Sequence, residues 1–207
     1  MTALDYWEGQ FTDNWQGHSE QNWHFAKDIC GLTDGSTTGV GYMRIREALQ
    51  SKRIIEIGAG TGELTGRVEW MFRPEWMICT DLSPAAVNAG MRRYPFLRWR
   101  VFDVLNDEMD QHFDLAIACN MLEHFTDPHA VISRIFGFAD MLLAVVPYRQ
   151  PVTDRFEGEG GPGHVFSFSK RSFDRYTLVE SALFESDGWT YSSRGEKPRQ
   201  LAALIKP

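Results

Sequence analysis

The stretch "IIEIGAGTGELT", residues 54–65, decides the fold because it joins an apolar strand to a glycine-rich turn and then to a helix. The β-branched run at its start favours a buried strand, which ends close to an acid, Glu56. Three glycines follow at alternate positions: Gly58, Gly60 and Gly62. Glycine permits positive φ and close approach of a ligand to the backbone, and a helix that starts here offers free N–H groups. The stretch therefore predicts a strand–turn–helix unit that holds a ligand.

The chain after this unit repeats the alternation of strand and helix. Four later runs are predicted to be strands: "WMICTD", "RWRVFDV", "FDLAIACN" and "MLLAVVP". Two of the helices between them are predicted to begin after Ser83 and Asp127, because each is a capping residue followed by proline. Strands that alternate with crossover helices form a parallel sheet covered on both faces. We predict a doubly wound, Rossmann-like α/β fold that takes in residues 1–207 as a single domain.

The two ends of the chain depart from this pattern. Residues 1–40 interleave aromatic and polar side chains without a helical or strand period, which indicates a covering segment or lid. Its rings form either a small hydrophobic cluster or a lid that stacks on an acceptor: Tyr6, Trp7, Phe11, Trp15 and Trp23. Only a few residues around Pro198 separate "WTYSSRGE" from "RQLAALIK", so we expect the sheet to end in an antiparallel hairpin.

Composition and charge argue against several classes of function. The 207 residues carry a formal net charge of -7 and no run of Lys or Arg, so a nucleic-acid partner is not expected. The three cysteines lack CxxC spacing, which argues against a zinc site and a disulfide framework. The longest apolar runs are about eight residues, too short to span a membrane, and the N-terminus lacks the pattern of a signal peptide. We expect a soluble, cytoplasmic protein.

The residues after the turn narrow the choice of ligand. The dinucleotide fingerprint GxGxxG would need glycine where this chain has Glu63, and no Gly-Lys-Ser/Thr follows as in a P-loop. Asp81 ends the second strand about 20 residues on, where a carboxylate can accept hydrogen bonds from both ribose hydroxyls. Asp103, near the end of the third strand, could accept from an adenine amine. An adenosine with a positively charged, phosphate-free tail fits these acids, and S-adenosylmethionine is such a compound.

With these residues the sequence resembles the class I S-adenosylmethionine-dependent methyltransferases, in particular the small-molecule branch that includes the ubiquinone-biosynthesis type. The resemblance covers most of residues 40–207 and rests on motifs in order: "IIEIGAGTGELT", "ICTDLSP", "RVFDV", "FDLAIACNMLEHFTDP", "LLAVVPY" and "GHVFSFSKRSF". It implies a mostly parallel seven-stranded sheet whose last strand is antiparallel. It also implies methyl transfer from S-adenosylmethionine to oxygen or nitrogen of a small metabolite or saccharide.

The resemblance further implies roles for individual residues. Those expected to bind the cofactor are Glu56, Gly58, Ala59, Gly60, Gly62, Asp81, Leu82, Asp103, Val104, Cys119 and Asn120. The turn would line the methionine portion, Asp81 and Leu82 would contact the ribose and the adenine, and Asp103 and Val104 would meet the adenine edge.

Two histidines are candidates for a general base. His124, in "MLEHF", follows the fourth strand near the expected sulfonium; it could equally cap a local turn. His164 lies in a Gly- and Pro-rich loop, 148–169, over the expected acceptor side. There it could act as a base, contact the acceptor or anchor the loop. Trp7, Tyr148 and Arg149 are candidate substrate contacts. We predict no metal site, because the remaining histidines lack metal-ligand spacing: His18, His24, His112 and His129.

Three other functions compete with methyl transfer to a small molecule. A nucleic-acid methyltransferase would be expected to carry Asn/Asp-Pro-Pro-aromatic after the fourth strand, where this chain has "CNML". A nicotinamide dehydrogenase would need the missing glycine spacing. The third alternative is a protein that binds the cofactor without catalysis, as a partner or regulator. Nothing in the sequence indicates the oligomeric state.

Overall fold

The computed structural model describes residues 3–14, 16–149, 163–186 and 199–207. Three sequence predictions fall outside these ranges. They concern Trp15, the centre of the loop over 148–169, and the hairpin arm "WTYSSRGE" with the link to Pro198.

Seven strands form one sheet in the order β3-β2-β1-β4-β5-β7-β6. Their bounds are β1 Arg53–Ile57, β2 Trp76–Asp81, β3 Arg98–Val101, β4 Leu115–Cys119, β5 Leu142–Pro147, β6 Thr177–Glu185 and β7 Arg199–Lys206. The first five strands pair in parallel, and β7 runs antiparallel to both of its neighbours, β5 and β6. The predicted doubly wound, mostly parallel sheet with antiparallel strands at the C-terminus is confirmed.

Helices cover both faces of this sheet. Their bounds are α1 Ala3–Gly9, α2 Gln16–Gly31, α3 Met43–Leu49, α4 Glu63–Phe72, α5 Pro84–Arg93 and α6 Pro128–Ile135. The two predicted caps are confirmed: the Ser83 hydroxyl accepts a hydrogen bond from Ala86 N, and the Asp127 carboxylate accepts from His129 N and Ala130 N. No helix among the described residues is long and apolar enough to cross a bilayer.

The N-terminal segment is more regular than its sequence predicts. It contains α1, a π-helical turn over Gln10–Asn14, and α2. The second half of α2 enters the core on one face of the sheet, where Phe25 and Ile29 are buried with strand side chains such as Ile54. A period is hard to see in the sequence, because the first half of α2 consists mainly of polar residues, whereas Phe25 and Ile29 of its second half are buried.

The sheet ends at the C-terminal side in a strand that was not predicted from the sequence. β7 pairs with Thr177–Glu185, which the sequence analysis did not identify as a strand. This strand lies at the edge of the sheet, and most of its side chains are exposed or half-buried. An edge strand of this kind has a weak hydrophobic pattern, which accounts for the missed prediction.

Candidate cofactor and acceptor site

The strand order reverses between β1 and β4, and this reversal places their carboxyl ends side by side. Ile57 at the end of β1 is in register with Ala118 of β4. A Cβ atom added to Gly58 would lie 2.8 Å from Met121 Cγ, so the turn after β1 packs against the segment after β4. In open α/β sheets ligands bind in the crevice at such a reversal. The candidate site therefore lies where the glycine turn meets residues 119–124.

The glycine turn has the backbone that its composition predicts. Gly58, Gly60 and Gly62 have φ values of 71°, 56° and 85°, in the left-handed region that side chains with a Cβ avoid. Gly62 immediately precedes α4, and a Cβ there would lie 2.5 Å from Trp99 Cη2. The first glycine is thus required by the approach of Met121, and the third by the packing of an aromatic ring.

Asp81 ends β2 beside this turn. One of its carboxylate oxygens accepts from Gly60 N at 2.8 Å, and the other accepts from Ser83 N at 2.9 Å. Burial raises the pKa of Asp81 to about 6, against the lowering effect of the N–H donors. Each carboxylate oxygen has a second lone pair, so the side chain can hold the turn and still accept from a ligand.

The two glutamates of the turn are buried. Glu56 contacts the hydroxyl of Thr65 in α4, and burial raises its pKa to about 8. Glu63 accepts from Thr61 Oγ1, lies 3.6 Å from the Arg93 guanidinium, and also has a raised pKa because of burial. Glu56 is therefore mostly protonated at neutral pH, and it ties the strand to the helix behind the turn.

Asp103 and Asn120 differ in how their polar atoms are used. Asp103 accepts from Leu105 N and from Asn106 Nδ2, so its carboxylate holds its own turn. Asn120 follows β4 with φ 46°, and its Oδ1 is buried without a hydrogen-bond partner among the described residues. The remaining predicted cofactor contacts lie along the same edge of the sheet: buried Ala59 and Val104, half-buried Leu82, and half-buried Cys119 at the end of β4. The unpaired oxygen of Asn120 is an acceptor to which a bound ligand could donate.

The structure brings three predicted catalytic and substrate residues together. His124 lies in a 3-10 turn over Leu122–His124, and its ring centroid is 5.1 Å from that of His164. The Trp7 ring from α1 also lies against His124, with its centroid 5.5 Å from that of His124. His124 Nδ1 is 3.2 Å from the carbonyl oxygen of Gly163, within hydrogen-bonding distance. Residues far apart in the sequence thus form one cluster after β4.

Glu123 belongs to the same cluster and was not identified from the sequence. It is 1% exposed, and neither carboxylate oxygen has a hydrogen-bond partner among the described residues. Its Oε1 lies 3.9 Å from His164 Nε2. Burial raises the pKa of Glu123 to about 8, while burial and the neighbouring His124 lower that of His164 to about 4. Both groups are therefore predominantly neutral at pH 7, and this contact is not an ion pair.

Tyr148 and Arg149 line a groove of about 400 Å³ together with Ser169, Lys170 and Arg171. The Arg149 guanidinium lies over the Tyr148 ring, 5.2 Å from its centroid. Tyr148 follows β5 and pairs with Phe168. Three basic side chains make this groove suited to a negatively charged group.

The N-terminal helix reaches the rim of the cofactor side. The Glu8 carboxylate accepts from Ser83 Oγ at 2.8 Å and from Ala85 N at 3.1 Å. These contacts place a negative charge at the N-terminus of α5, where free N–H groups favour it. The neighbouring Trp7 is held against His124 by the same helix.

The fold is a Rossmann-like α/β domain with a ligand crevice at the reversal of strand order. The family model described as a methyltransferase domain matches residues 55–139. A putative methyltransferase, 235L, of Invertebrate iridescent virus 6 is 22% identical over 85 residues, which are 41% of this chain and 32% of that protein. The chain thus matches about a third of the length of this curated relative.

Two solved structures resemble the whole chain. The N-methyltransferase NodS from Bradyrhizobium japonicum WM9, in complex with S-adenosyl-L-homocysteine, has a TM-score of 0.67 at 16% identity, with 100% of each chain covered. Magnesium protoporphyrin IX methyltransferase from Synechocystis PCC 6803, also with S-adenosylhomocysteine, has a TM-score of 0.65 at 13% identity, with 99% of this chain and 98% of that chain covered. At these identities the likeness shows a shared fold.

Proposed function

We propose that the protein transfers a methyl group from S-adenosylmethionine to an oxygen or nitrogen atom of a small molecule, with saccharides among the candidates. The observation that carries this proposal is the meeting of the positive-φ glycine turn, Asp81 and the buried Asn120 oxygen at one reversal point of the sheet. A small organic acceptor agrees with the magnesium protoporphyrin IX methyltransferase, whose name states its acceptor. Within the class we propose the ubiquinone-biosynthesis branch, on the motif "NMLEHFTDP".

We assign the cofactor to the residues that the sequence singles out, which are Glu56, Gly58, Ala59, Gly60, Gly62, Asp81, Leu82, Asp103, Val104, Cys119 and Asn120. Asp81 accepts from the ribose hydroxyls, and the amide of Asn120 supplies an acceptor that has no hydrogen-bond donor in the described part of the chain. Glu56 acts mainly behind the turn, since its carboxyl contacts Thr65. Asp103 contributes to adenine binding indirectly, because its carboxylate holds the turn that meets the adenine.

The acceptor then approaches from the side of Trp7, His124 and His164. Methyl transfer is an in-line displacement: a lone pair of the acceptor forms a bond to the methyl carbon, and the C–S electron pair returns to sulfur. The sulfonium supplies the activated methyl group, so alignment and exclusion of water can provide most of the rate. Residues 1–40 and 148–169 would cover this site, with Tyr148 and Arg149 contacting a distal part of the acceptor.

His124 is the better candidate for a general base. A base with a pKa near 4, the value that burial gives His164, is a weak proton acceptor at neutral pH. His124 is half-buried, with Nδ1 close to the Gly163 carbonyl. If Nδ1 carries the proton and donates it there, Nε2 retains its lone pair.

The test is transfer of isotopically labelled methyl from S-adenosylmethionine into a host extract, followed by separation into small metabolites, glycans, protein and nucleic acid. We expect label in the metabolite or glycan fraction. Label confined to protein or nucleic acid would contradict the proposed acceptor class. Cofactor binding measured by calorimetry without label in any fraction would favour the non-catalytic alternative.

A further inference from the structure

The proposed cofactor site assigns no role to the buried carboxyl of Glu123. Other buried acids at this edge have donors: Asp81 accepts from two backbone N–H groups, and Glu56 accepts from a hydroxyl. Neither oxygen of Glu123 has such a donor among the described residues, although the residue is only 1% exposed. Burying a carboxyl without a hydrogen-bond partner destabilises the fold. Such a group points to a ligand that supplies positive charge.

Two imidazoles converge on this carboxyl. The ligand atoms offered by Glu123, His124 and His164 all lie within 4.8 Å of one another. Their segments are joined by backbone hydrogen bonds, because Val165 N and Phe166 N both donate to the Glu123 carbonyl oxygen, at 2.9 Å and 3.2 Å. The cluster is thus held together by main-chain contacts that do not depend on the side chains themselves.

We propose that Glu123, His124 and His164 form a binding site for a divalent transition-metal ion. Two imidazoles and one carboxylate are ligands that suit Zn²⁺ and related first-row ions, whereas Mg²⁺ and Ca²⁺ prefer oxygen ligands alone. In a tetrahedral zinc site the ligand atoms lie roughly 3.4 Å apart. The 3.9 Å between Glu123 Oε1 and His164 Nε2 is close to this spacing, and since the ligand atoms lie within 4.8 Å of one another, the widest separation would have to close by at most about 1.4 Å.

The surroundings of His124 fit a ligand role. Metal-binding histidines typically donate their second ring N–H to a carbonyl or carboxylate, which fixes the ring and its tautomer. The Gly163 carbonyl oxygen is such a partner for Nδ1 at 3.2 Å, and Gly163 immediately precedes His164. One short segment thus supplies both a ligand and the group that orients another ligand.

Three protein ligands leave coordination positions open, as in catalytic metal sites. On the proposed function, an open position would hold a hydroxyl oxygen of the acceptor beside Trp7. His124 then acts as a ligand in place of its role as a general base, and the ion promotes loss of the hydroxyl proton to solvent. The oxygen lone pair bonds to the methyl carbon, and the C–S electron pair returns to sulfur. The site therefore favours oxygen over nitrogen as the methylated atom.

The first experiment measures Zn²⁺ binding to the full chain after treatment with a chelator and dialysis, by calorimetry. Binding of Co²⁺, followed by its visible absorption, reports the ligand set. We expect one Zn²⁺ per chain, with binding at least about 10-fold weaker in Glu123→Gln and in His164→Asn. His112→Asn is the matched control, since His112 forms an exposed pair with Asp140 that is separate from the cluster. Circular dichroism establishes that each variant is folded.

The metal site is overturned if the wild-type chain binds no Zn²⁺, if only His112→Asn loses binding, or if folded Glu123→Gln and His164→Asn bind as tightly as the wild type. Its role in catalysis is tested separately by repeating the labelled transfer with metal-free protein and with added Zn²⁺. Restoration by Zn²⁺ supports that role, and equal transfer by the metal-free protein contradicts it. Absence of S-adenosylmethionine binding in a chain that binds Zn²⁺ would contradict the proposed function instead.

Discussion

Asp81 accepts a hydrogen bond from the backbone N–H of Gly60 at 2.8 Å, so the acid at the end of β2 holds the glycine turn that follows β1. The same carboxylate accepts from Ser83 N on its other oxygen. One side chain thus links the turn, the second strand and the start of α5. Because it is nearly buried, a ligand that reaches it must lie in the crevice between the turn and that strand.

Replacing Asp81 tests the proposed contact with the ribose. Asp81→Ala removes a charged acceptor, whose hydrogen bonds are worth roughly 1.5 to 3 kcal/mol. The substitution should therefore weaken the binding of S-adenosylmethionine by about 10- to 100-fold. Calorimetric titration measures this loss. Asp140→Ala, at an exposed carboxylate paired with His112, should bind the cofactor as the wild type does. Unchanged affinity in Asp81→Ala would remove Asp81 from the cofactor site.

A second prediction separates backbone strain from steric contact in the glycine turn. Gly58 and Gly39 have similar φ values, 71° and 75°, but a Cβ at Gly39 meets nothing within 4 Å, whereas at Gly58 it would meet Met121 Cγ at 2.8 Å. Gly39→Ala should lower the free energy of unfolding by about 1 kcal/mol, from the left-handed backbone alone. Gly58→Ala should lower the free energy of unfolding further and should also weaken the binding of S-adenosylmethionine. Denaturant unfolding and calorimetry measure the two effects, and equal losses in both variants would contradict this reading.

The strands of the parallel sheet and the caps at Ser83 and Asp127 could be predicted because their signals are local. β1 and β2 are short apolar runs, and each cap is followed by proline. The edge strand Thr177–Glu185 and the helix Gln16–Gly31 were missed because tertiary packing, rather than a strong local period, determines them.

The same distinction applies to the candidate site. His124 and His164 were candidates from their places in motifs, but their approach to each other depends on how residues 163–166 return to the segment after β4. Glu123 was overlooked because an acid in "MLEHF" usually lies at the surface, and its burial is a property of the fold alone. The cofactor roles of individual residues remain predictions.

The N-terminal helix offers a third prediction, at the contact between Glu8 and the start of α5. Glu8→Ala removes the acceptor for Ser83 Oγ and Ala85 N, together with a favourable charge at the helix N-terminus. We expect the protection of α1 amides against hydrogen exchange to fall by roughly 0.5 to 2 kcal/mol in opening free energy. Glu47→Ala, which breaks an exposed pair with Arg44, is the control and should leave α1 unchanged. Equal protection of α1 in Glu8→Ala would show that other contacts hold this helix.

The last prediction concerns pH, through Glu56. Burial raises the pKa of Glu56 from 4.5 to about 8 in the folded chain, so the folded state binds the proton more tightly than the unfolded state does. The resulting stabilisation is fully present below about pH 4.5 and is lost as the pH rises towards 8. Glu56→Gln keeps a side chain that accepts from Thr65 but cannot titrate.

The free energy of unfolding of the wild type, minus that of Glu56→Gln, should therefore fall by about 1 kcal/mol per pH unit between pH 5 and 8. Denaturant titrations at several pH values measure this difference, in which the shared contributions of other buried acids cancel. A difference that stays constant for Glu56→Gln, or rises with pH, would mean that Glu56 is ionised in the folded protein. In that case its carboxylate would be free to face a cationic ligand across the turn.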